Sequence, residues 1–262
     1  MSTADEIPAN QAGVAPTTPS LAAPEARWSR ERIEKMLESG KFSYQRIDLP
    51  HGLATPGEDR RPTADLIFPA SLTGKSVLDL GCNHGFFCFD ALQRGAESAV
   101  GYDHSAQIVR RANRLADIKD SHPEFLHHDL DREPVNKDFD FILCLNVLHH
   151  LDNPLLQLEQ MMAHTRDTLV LELAGFSLFD CFRALEVSPW FALLAFLVTP
   201  FPVMFIGLVP GAKKVDPRRL KFYFTRRAIK RLFARQSERF ASVRFLRSPF
   251  KGRFLVIAQR NA

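Results

Sequence analysis

Residues 77–85 read Val-Leu-Asp-Leu-Gly-Cys-Asn-His-Gly, and this stretch decides the fold class. A short apolar run carries an acidic residue, Asp79, near its end and passes into a turn that contains Gly81 and Gly85. This pattern is typical of the first strand–turn–helix unit of an open α/β sheet, where ligands bind outside the carboxyl ends of the strands. The two glycines allow the backbone to approach a ligand closely. Asp79 favours a cationic group there over a pyrophosphate, because its own charge is negative.

Polar residues also follow the next three predicted strands. Asp103 ends the second strand roughly 20 residues further on, where a ribose-binding carboxylate is expected. Asp129 follows a short third strand, at a position suited to contact with an adenine amino group. The fourth strand is followed by Asn-Val-Leu-His-His-Leu at 146–151. The four segments together predict one ligand site along the carboxyl edge of the sheet.

From Ser76 onward, short apolar strands alternate with helical patterns. The predicted strands are 76–80, 98–102, 125–127, 139–145 and 168–172, and the predicted helices are 86–93, 107–116 and 154–162. This order indicates an α/β, Rossmann-like fold in which helices cover both faces of a parallel sheet. Two later strands, at 243–246 and 254–258, are expected to form a closing hairpin.

The stretch 75–175 resembles the class I S-adenosylmethionine (SAM)-dependent methyltransferases, because all four motifs occur in the order of that family. The resemblance implies SAM as the cofactor and direct transfer of its methyl group. It also implies nine cofactor-binding residues: Asp79, Gly81, Cys82, Asn83, Gly85, Asp103, His104, Asp129 and Asn146. The chain departs from the family at Asn83, which stands at the middle glycine of Gly-x-Gly-x-Gly. Asn tolerates left-handed backbone angles, so the turn can be retained, although an unusual SAM reaction or a variant of the cofactor stays open.

A narrower similarity involves two segments outside the four motifs. Residues 44–57 and 222–233 are similar to a bacterial branch of the family that includes the tRNA wobble-uridine carboxymethyltransferases. The shared features are an extended segment before motif I, which is the stretch 77–85, and an aromatic-x-x-Thr/Pro-x-x-Ala-Ile pattern before a late helix. This similarity does not identify the methyl acceptor.

His149 and His150 are the candidate catalytic residues. Both follow the fourth strand at the predicted cleft, and histidine suits general-base catalysis at neutral pH. The alternative is that one histidine packs in the cleft wall and the other caps a turn. His84 lies in the turn 81–85, which we call the cofactor turn, and is expected to shape the pocket.

The composition indicates a cytoplasmic protein with one main domain. Its four cysteines form no C-x-x-C pair, so we expect reduced thiols and no metal site. The first 26 residues lack a basic and an apolar segment, which argues against a secretory signal and favours disorder. Five segments are predicted: a disordered tail (1–26), an N-terminal helix and leading loop (27–74), a SAM-binding core (75–175), an apolar insertion after the fifth core strand (176–218), and a basic helix with the closing strands (219–262).

The insertion contains a charge-free apolar run at 190–209, and a basic block follows it from Lys213 to Arg239. The run approaches the length of a membrane-spanning helix, but Pro200 and Pro202 disfavour a single straight helix. We therefore expect either a lid or membrane-dipping hairpin, or a cap helix that is buried over the substrate site. The basic block favours an anionic membrane surface at the inner membrane face, with RNA phosphates and a merely solvated helix as the alternatives.

These features predict a methyltransferase that acts on a hydrophobic, lipid-like small molecule. A tRNA-modifying transferase is the first alternative, and nucleic acid is the less favoured partner because RNA sites do not require a long apolar run. The second alternative is a non-catalytic SAM-fold protein that serves as a membrane or assembly partner.

Overall fold

The computed structural model describes residues 27–174, 197, 201–208 and 220–261. Its α-helices are α1 (Arg30–Ser39), α2 (Arg61–Ile67), α3 (Phe86–Gln93), α4 (Ala106–Lys119), α5 (Pro154–His164) and α6 (Arg226–Ala234). Short 3₁₀ helices occupy Pro50–Gly52 and Leu148–His150. The strands are β1 (Ser76–Leu80), β2 (Ser98–Asp103), β3 (Glu124–His127), β4 (Phe139–Leu145), β5 (Thr165–Ala174), β6 (Met204–Leu208), β7 (Leu220–Phe224), β8 (Phe240–Arg247) and β9 (Arg253–Arg260).

Seven strands form one sheet in the order β3-β2-β1-β4-β5-β9-β8. The first five are mutually parallel, and β9 and β8 close the sheet as an antiparallel hairpin beside β5. The predicted Rossmann-like fold and its closing hairpin are therefore confirmed. Because β1 is central, its carboxyl end lies between the ends of β2 and β4.

The two faces of the sheet carry separate apolar cores, as the alternation of strand side chains requires. In β1, Val77 belongs to one core, whereas Leu78 and Leu80 belong to the other. Helices α1 to α4 cover the first face, and α5 and α6 cover the second. The carboxyl edge of the sheet, where the predicted ligand site lies, is therefore held between two layers of helices.

The helix starts are set by local side chains. Ser105 precedes α4 and accepts a hydrogen bond from the Ile108 amide, and Thr225 precedes α6 and accepts one from the Ala228 amide. Such caps satisfy amide groups that have no partner inside the helix. The caps thus set where each helix begins: α4 starts directly after β2, and α6 starts directly after β7.

Two regions differ from the sequence-based expectation. Helix α2 lies in the segment 27–74, whose prolines and glycines after the first helix had suggested a loop. Pro62 is compatible with a helix because it occupies the first turn. In the apolar run, Met204–Leu208 is a strand that pairs antiparallel with β7, so a helical cap is wrong for these five residues. The predicted tail at 1–26 and most of the insertion at 176–218 lie outside the described residues. Within the described part of the chain, no helix is long and apolar enough to cross a bilayer.

Candidate active site

The turn after β1 has the geometry that its glycines predicted. Gly81 and Gly85 have positive φ angles of 71° and 88°. A Cβ atom on Gly81 would lie 2.3 Å from Cγ2 of Val147, and one on Gly85 would lie 2.1 Å from Cζ of Phe125. Asn83 adopts φ 51°, the left-handed conformation expected for the residue at the middle glycine position. Both glycines are thus required by backbone angle and by space.

Asp103 fixes this turn to the end of β2. Its carboxylate is buried, and Oδ2 accepts a hydrogen bond from the Asn83 amide at 3.2 Å. Oδ1 accepts a second one from the Ser105 amide at 2.9 Å. A carboxylate has about four acceptor positions, so Asp103 retains capacity for a ligand hydroxyl. The neighbouring His104 side chain is exposed, with Nδ1 3.5 Å from Oδ1 of Asp103.

Asp79 is a buried carboxyl group with an unused acceptor. It is 2% exposed, and its Oδ2 atom has no hydrogen-bond partner among the described residues. Burial raises the pKa of Asp79 to about 8; the positive charge of Arg60 opposes this shift and the negative charge of Asp103 adds to it. Such an atom at the carboxyl end of a strand suits a cationic ligand group, which would restore the ionised form.

Cys82 and Asn146 also lie where the turn meets neighbouring strands. Cys82 is fully buried, and burial raises the pKa of its thiol well above the usual value, so the thiol stays neutral. Asn146 has φ 66°, and its amide donates to the Glu172 carbonyl at 2.9 Å. The structure therefore brings together the turn, Asp79, Asp103 and the start of the segment after β4.

The carboxylate of Asp129 contacts only residues that are close to it in the chain, among those that the structure describes. It lies two residues beyond β3, with its side chain 38% exposed. Oδ1 accepts a hydrogen bond from the Asp131 amide, and Oδ2 lies 3.4 Å from Nε of Arg132. The carboxylate is accessible to a ligand, and its role in adenine binding stays a prediction.

The two candidate catalytic histidines differ in exposure. They share the 3₁₀ helix Leu148–His150, which lies within the segment after β4. His149 is completely buried and His150 is exposed, with 4.2 Å between their ring centroids. A general base needs access to the acceptor, so exposure favours His150 for that role and a packing role for His149.

Gln45 supports the cofactor turn from a distant part of the chain. It is 4% exposed, and its Oε1 atom accepts hydrogen bonds from the amides of His84 at 3.1 Å and Phe86 at 3.3 Å. Gln45 therefore supplies a hydrogen-bond acceptor to amides at the start of α3 that have no partner inside the helix. The residue that precedes α3 provides no side-chain cap. The Gln45 carbonyl accepts a hydrogen bond from Oγ1 of Thr55. Sequence reasoning missed this residue, because one glutamine in an extended segment carries no recognisable motif.

His84 lies on the protein side of the turn. It is 2% exposed, and its ring packs against Phe42 with 5.4 Å between centroids. Burial lowers the pKa of His84 to about 4, and the charge of Arg111 adds to this shift. The ring is therefore neutral at physiological pH, and its expected role in shaping the pocket stays a prediction.

A buried ionic cluster lies at the carboxyl end of β5. Glu172 is fully buried; its Oε2 atom lies 3.1 Å from the Arg60 guanidinium and 3.2 Å from the Arg253 guanidinium. Oε1 accepts a hydrogen bond from Ser248 at 2.6 Å. The Arg60 guanidinium also stacks over Phe250 at 4.1 Å. This cluster joins the leading segment, β5 and the closing hairpin at the carboxyl edge of the sheet, and no local sequence motif indicates it.

The stretch that carries this turn is similar to a known protein family. Residues 77–169 match a family described as a methyltransferase domain. This match covers motif I, Asp103, Asp129 and the segment after β4. The resemblance to class I SAM-dependent methyltransferases, predicted from the four motifs, is confirmed for this stretch.

Two curated relatives carry a more specific name than this family. A tRNA U34 carboxymethyltransferase from Helicobacter acinonychis is 36% identical over 89 residues, which cover 32% of this chain and 34% of the relative. One from Nautilia profundicola is 32% identical over 110 residues, covering 39% and 37%. The chain thus spans about a third of the length of these relatives.

Solved structures match the fold more extensively. The N-terminal domain of EvdMO1, crystallised with S-adenosylhomocysteine, superposes with a TM-score of 0.61 at 13% identity, covering 89% of this chain and 98% of that one. A putative SAM-dependent methyltransferase from Listeria monocytogenes gives a TM-score of 0.54 at 15% identity, covering 76% and 97%. At these identities the likeness shows the fold.

Proposed function

We propose that the protein binds SAM at the carboxyl edge of β1, β2 and β4 and transfers its methyl group to an acceptor. The observation that carries the proposal is the coupling of Asp103 to the Asn83 amide, which fixes the turn beside a buried carboxyl group with an unused acceptor. The unused Oδ2 atom of Asp79 fits the cationic amino group of SAM. Asp103 fits a ribose hydroxyl, because it keeps free acceptor capacity.

The other site residues have supporting roles in this proposal. Gly81 and Gly85 let the backbone approach the cofactor, and Asp129 accepts the adenine amino group. SAM, when bound, supplies an electrophilic methyl group on a sulfonium with a good leaving group. The chain therefore contributes mainly by positioning, an effect that can supply a large share of a rate enhancement. His150 accepts a proton where the acceptor atom must lose one.

We further infer that the acceptor is tRNA. The curated relatives named for tRNA modification support this acceptor over the lipid-like molecule expected from the apolar run. The basic character of the last part of the chain also supports it, since RNA binding depends on cations that meet phosphates.

The test is transfer of labelled methyl groups from SAM to a cell extract, followed by separation of RNA, lipid and aqueous fractions. We expect label in the RNA fraction that ribonuclease releases. The Asp103→Ala protein serves as the control for cofactor-dependent labelling. Label in the lipid fraction would support the hydrophobic acceptor instead, and wild-type protein that labels no fraction would contradict methyl transfer.

A further inference from the structure

Helix α6 turns a purely cationic face to solvent. Its exposed basic side chains, together with the residue that follows it, are Arg226, Arg227, Lys230, Arg231 and Arg235. The apolar face of the same helix is used within the protein, since Ile229 is fully buried and Phe233 is 2% exposed. We call the five basic residues the α6 cationic face.

Few acidic residues are close to this face along the chain, and in space Glu159 lines a small cavity together with Arg235. The segment 220–261 contains a single acidic residue, Glu238. It contains twelve basic ones: Lys221, Arg226, Arg227, Lys230, Arg231, Arg235, Arg239, Arg244, Arg247, Lys251, Arg253 and Arg260. Among the described residues, no acidic side chain lies within ion-pair distance of the α6 cationic face. Within the described ranges, these five charges therefore have no acidic partner.

The face begins next to the candidate active site. Strand β7 contacts both β5 and the 3₁₀ helix that carries His149 and His150. Phe224, at the end of β7, is 1% exposed and shares an apolar core with Leu148. Thr225 follows directly and caps α6. From there, the nine residues of α6 extend for about 14 Å, at roughly 1.5 Å per residue.

We propose that the α6 cationic face binds the phosphate backbone of the RNA acceptor and aligns it with the site, an inference that rests on the proposed function. A membrane-surface helix needs an exposed apolar face that enters the acyl boundary. In α6 that face is packed against the sheet, and apart from Ala234 the exposed side chains of the helix are basic. Phosphate binding requires such a surface and needs no apolar insertion.

The test compares two pairs of arginines that are matched in spacing. Arg227→Gln with Arg231→Gln removes two charges from the α6 cationic face. Arg110→Gln with Arg114→Gln removes two exposed charges at the same i, i+4 spacing from α4, on the opposite face of the sheet. Binding of bulk tRNA is measured by fluorescence anisotropy between 50 and 200 mM salt, and SAM binding by calorimetry.

We expect the α6 double variant to bind tRNA about tenfold more weakly at low salt. Its plot of log affinity against log salt should become shallower by about 2, one unit for each lost phosphate contact. The α4 variant should match the wild-type protein, and all three should bind SAM equally. Equal tRNA affinity in the α6 variant and the wild type would overturn the proposal, and so would an equal loss in both variants.

Two further measurements separate this proposal from the proposed function. If the wild-type protein labels RNA and the α6 variant labels it equally well, the surface assignment fails and the enzyme assignment stands. If the wild-type protein binds tRNA through α6 but labels no RNA, the surface stands and the enzyme assignment fails. Binding of wild-type protein to phosphatidylserine vesicles that α6 substitution abolishes, without tRNA binding, would replace RNA by a membrane and overturn the proposal.

Discussion

Asp79 makes SAM binding dependent on pH in a direction that the structure determines. Burial raises the pKa of its carboxyl group from 3.8 to about 8, so the free protein carries the protonated form at neutral pH. The raised pKa also means that the carboxyl group favours folding below pH 4 and that this contribution is lost as the pH rises to about 8. In the proposed complex, the SAM amino group stabilises the ionised form, and binding therefore releases a proton.

The expected change in affinity follows from the release of one proton, and the raised pKa of Asp79 sets the pH range over which it occurs. Raising the pKa from 3.8 to about 8 means that the protein favours the neutral carboxyl group over the ionised one by roughly 6 kcal/mol more than water does. While the free protein is protonated and the complex is ionised, the affinity should rise about tenfold per pH unit. Between pH 5.5 and 7 we therefore expect an increase of about thirtyfold. The amino group of SAM stays protonated in this window, because α-amino groups titrate near 7.7–8.0.

Calorimetry at several pH values measures this effect directly. Titrations at one pH in phosphate and in Tris should also differ in apparent enthalpy by the ionisation heat of nearly one proton. The Asp79→Asn protein is the matched control; it should bind more weakly at pH 7 and show no slope between pH 5.5 and 7. A wild-type affinity that is constant over this window, with no proton release, would refute the contact between Asp79 and the amino group.

Three other substitutions test the remaining parts of the site. Asp103→Ala should weaken SAM binding about tenfold to a hundredfold, because charged hydrogen bonds contribute roughly 1.5–3 kcal/mol; unchanged affinity by calorimetry would remove Asp103 from the site. His150→Ala should lower turnover by roughly 10²–10⁴ with SAM affinity preserved, whereas equal activity in this variant and in His149→Ala would leave positioning or another base as the explanation. Arg60→Met should lower the free energy of unfolding by about 3 kcal/mol in urea titrations, because Glu172 stays buried with one cation fewer; a loss below about 1 kcal/mol would mean that Arg253 alone compensates the charge.

The sequence predicted the parts of the site that are formed by neighbouring residues. Gly81, Asn83 and Gly85 lie within one turn, and their backbone requirements are visible in the residue types themselves. Asp103 was predictable because parallel strands end at the same edge and its distance from motif I is characteristic. Patterns of strand and helix likewise predicted the sheet, since strands such as β4 and β9 contain five consecutive buried residues.

The remaining parts depend on contacts between distant residues. Gln45 binds an amide 39 residues away, and Arg60 pairs with a carboxylate 112 residues away. No spacing rule connects such partners before the chain is folded. Helix α2 was missed for a different reason: the prolines and glycines around it indicate a loop, and Pro62 at a helix start is recognised only when the following turn is known.

The hydrogen bonds of Gln45 have a consequence for the exchange of segments between related proteins. The family match starts at residue 77, but two amides of the cofactor turn are satisfied by a side chain that lies before it. A chimera that replaces only residues 77–169 would therefore combine one protein's turn with another's support. We expect its ligand site to form well only if residues 41–60 are transferred with it. The part of the chain that is needed to build the site is therefore longer than the stretch that matches the family.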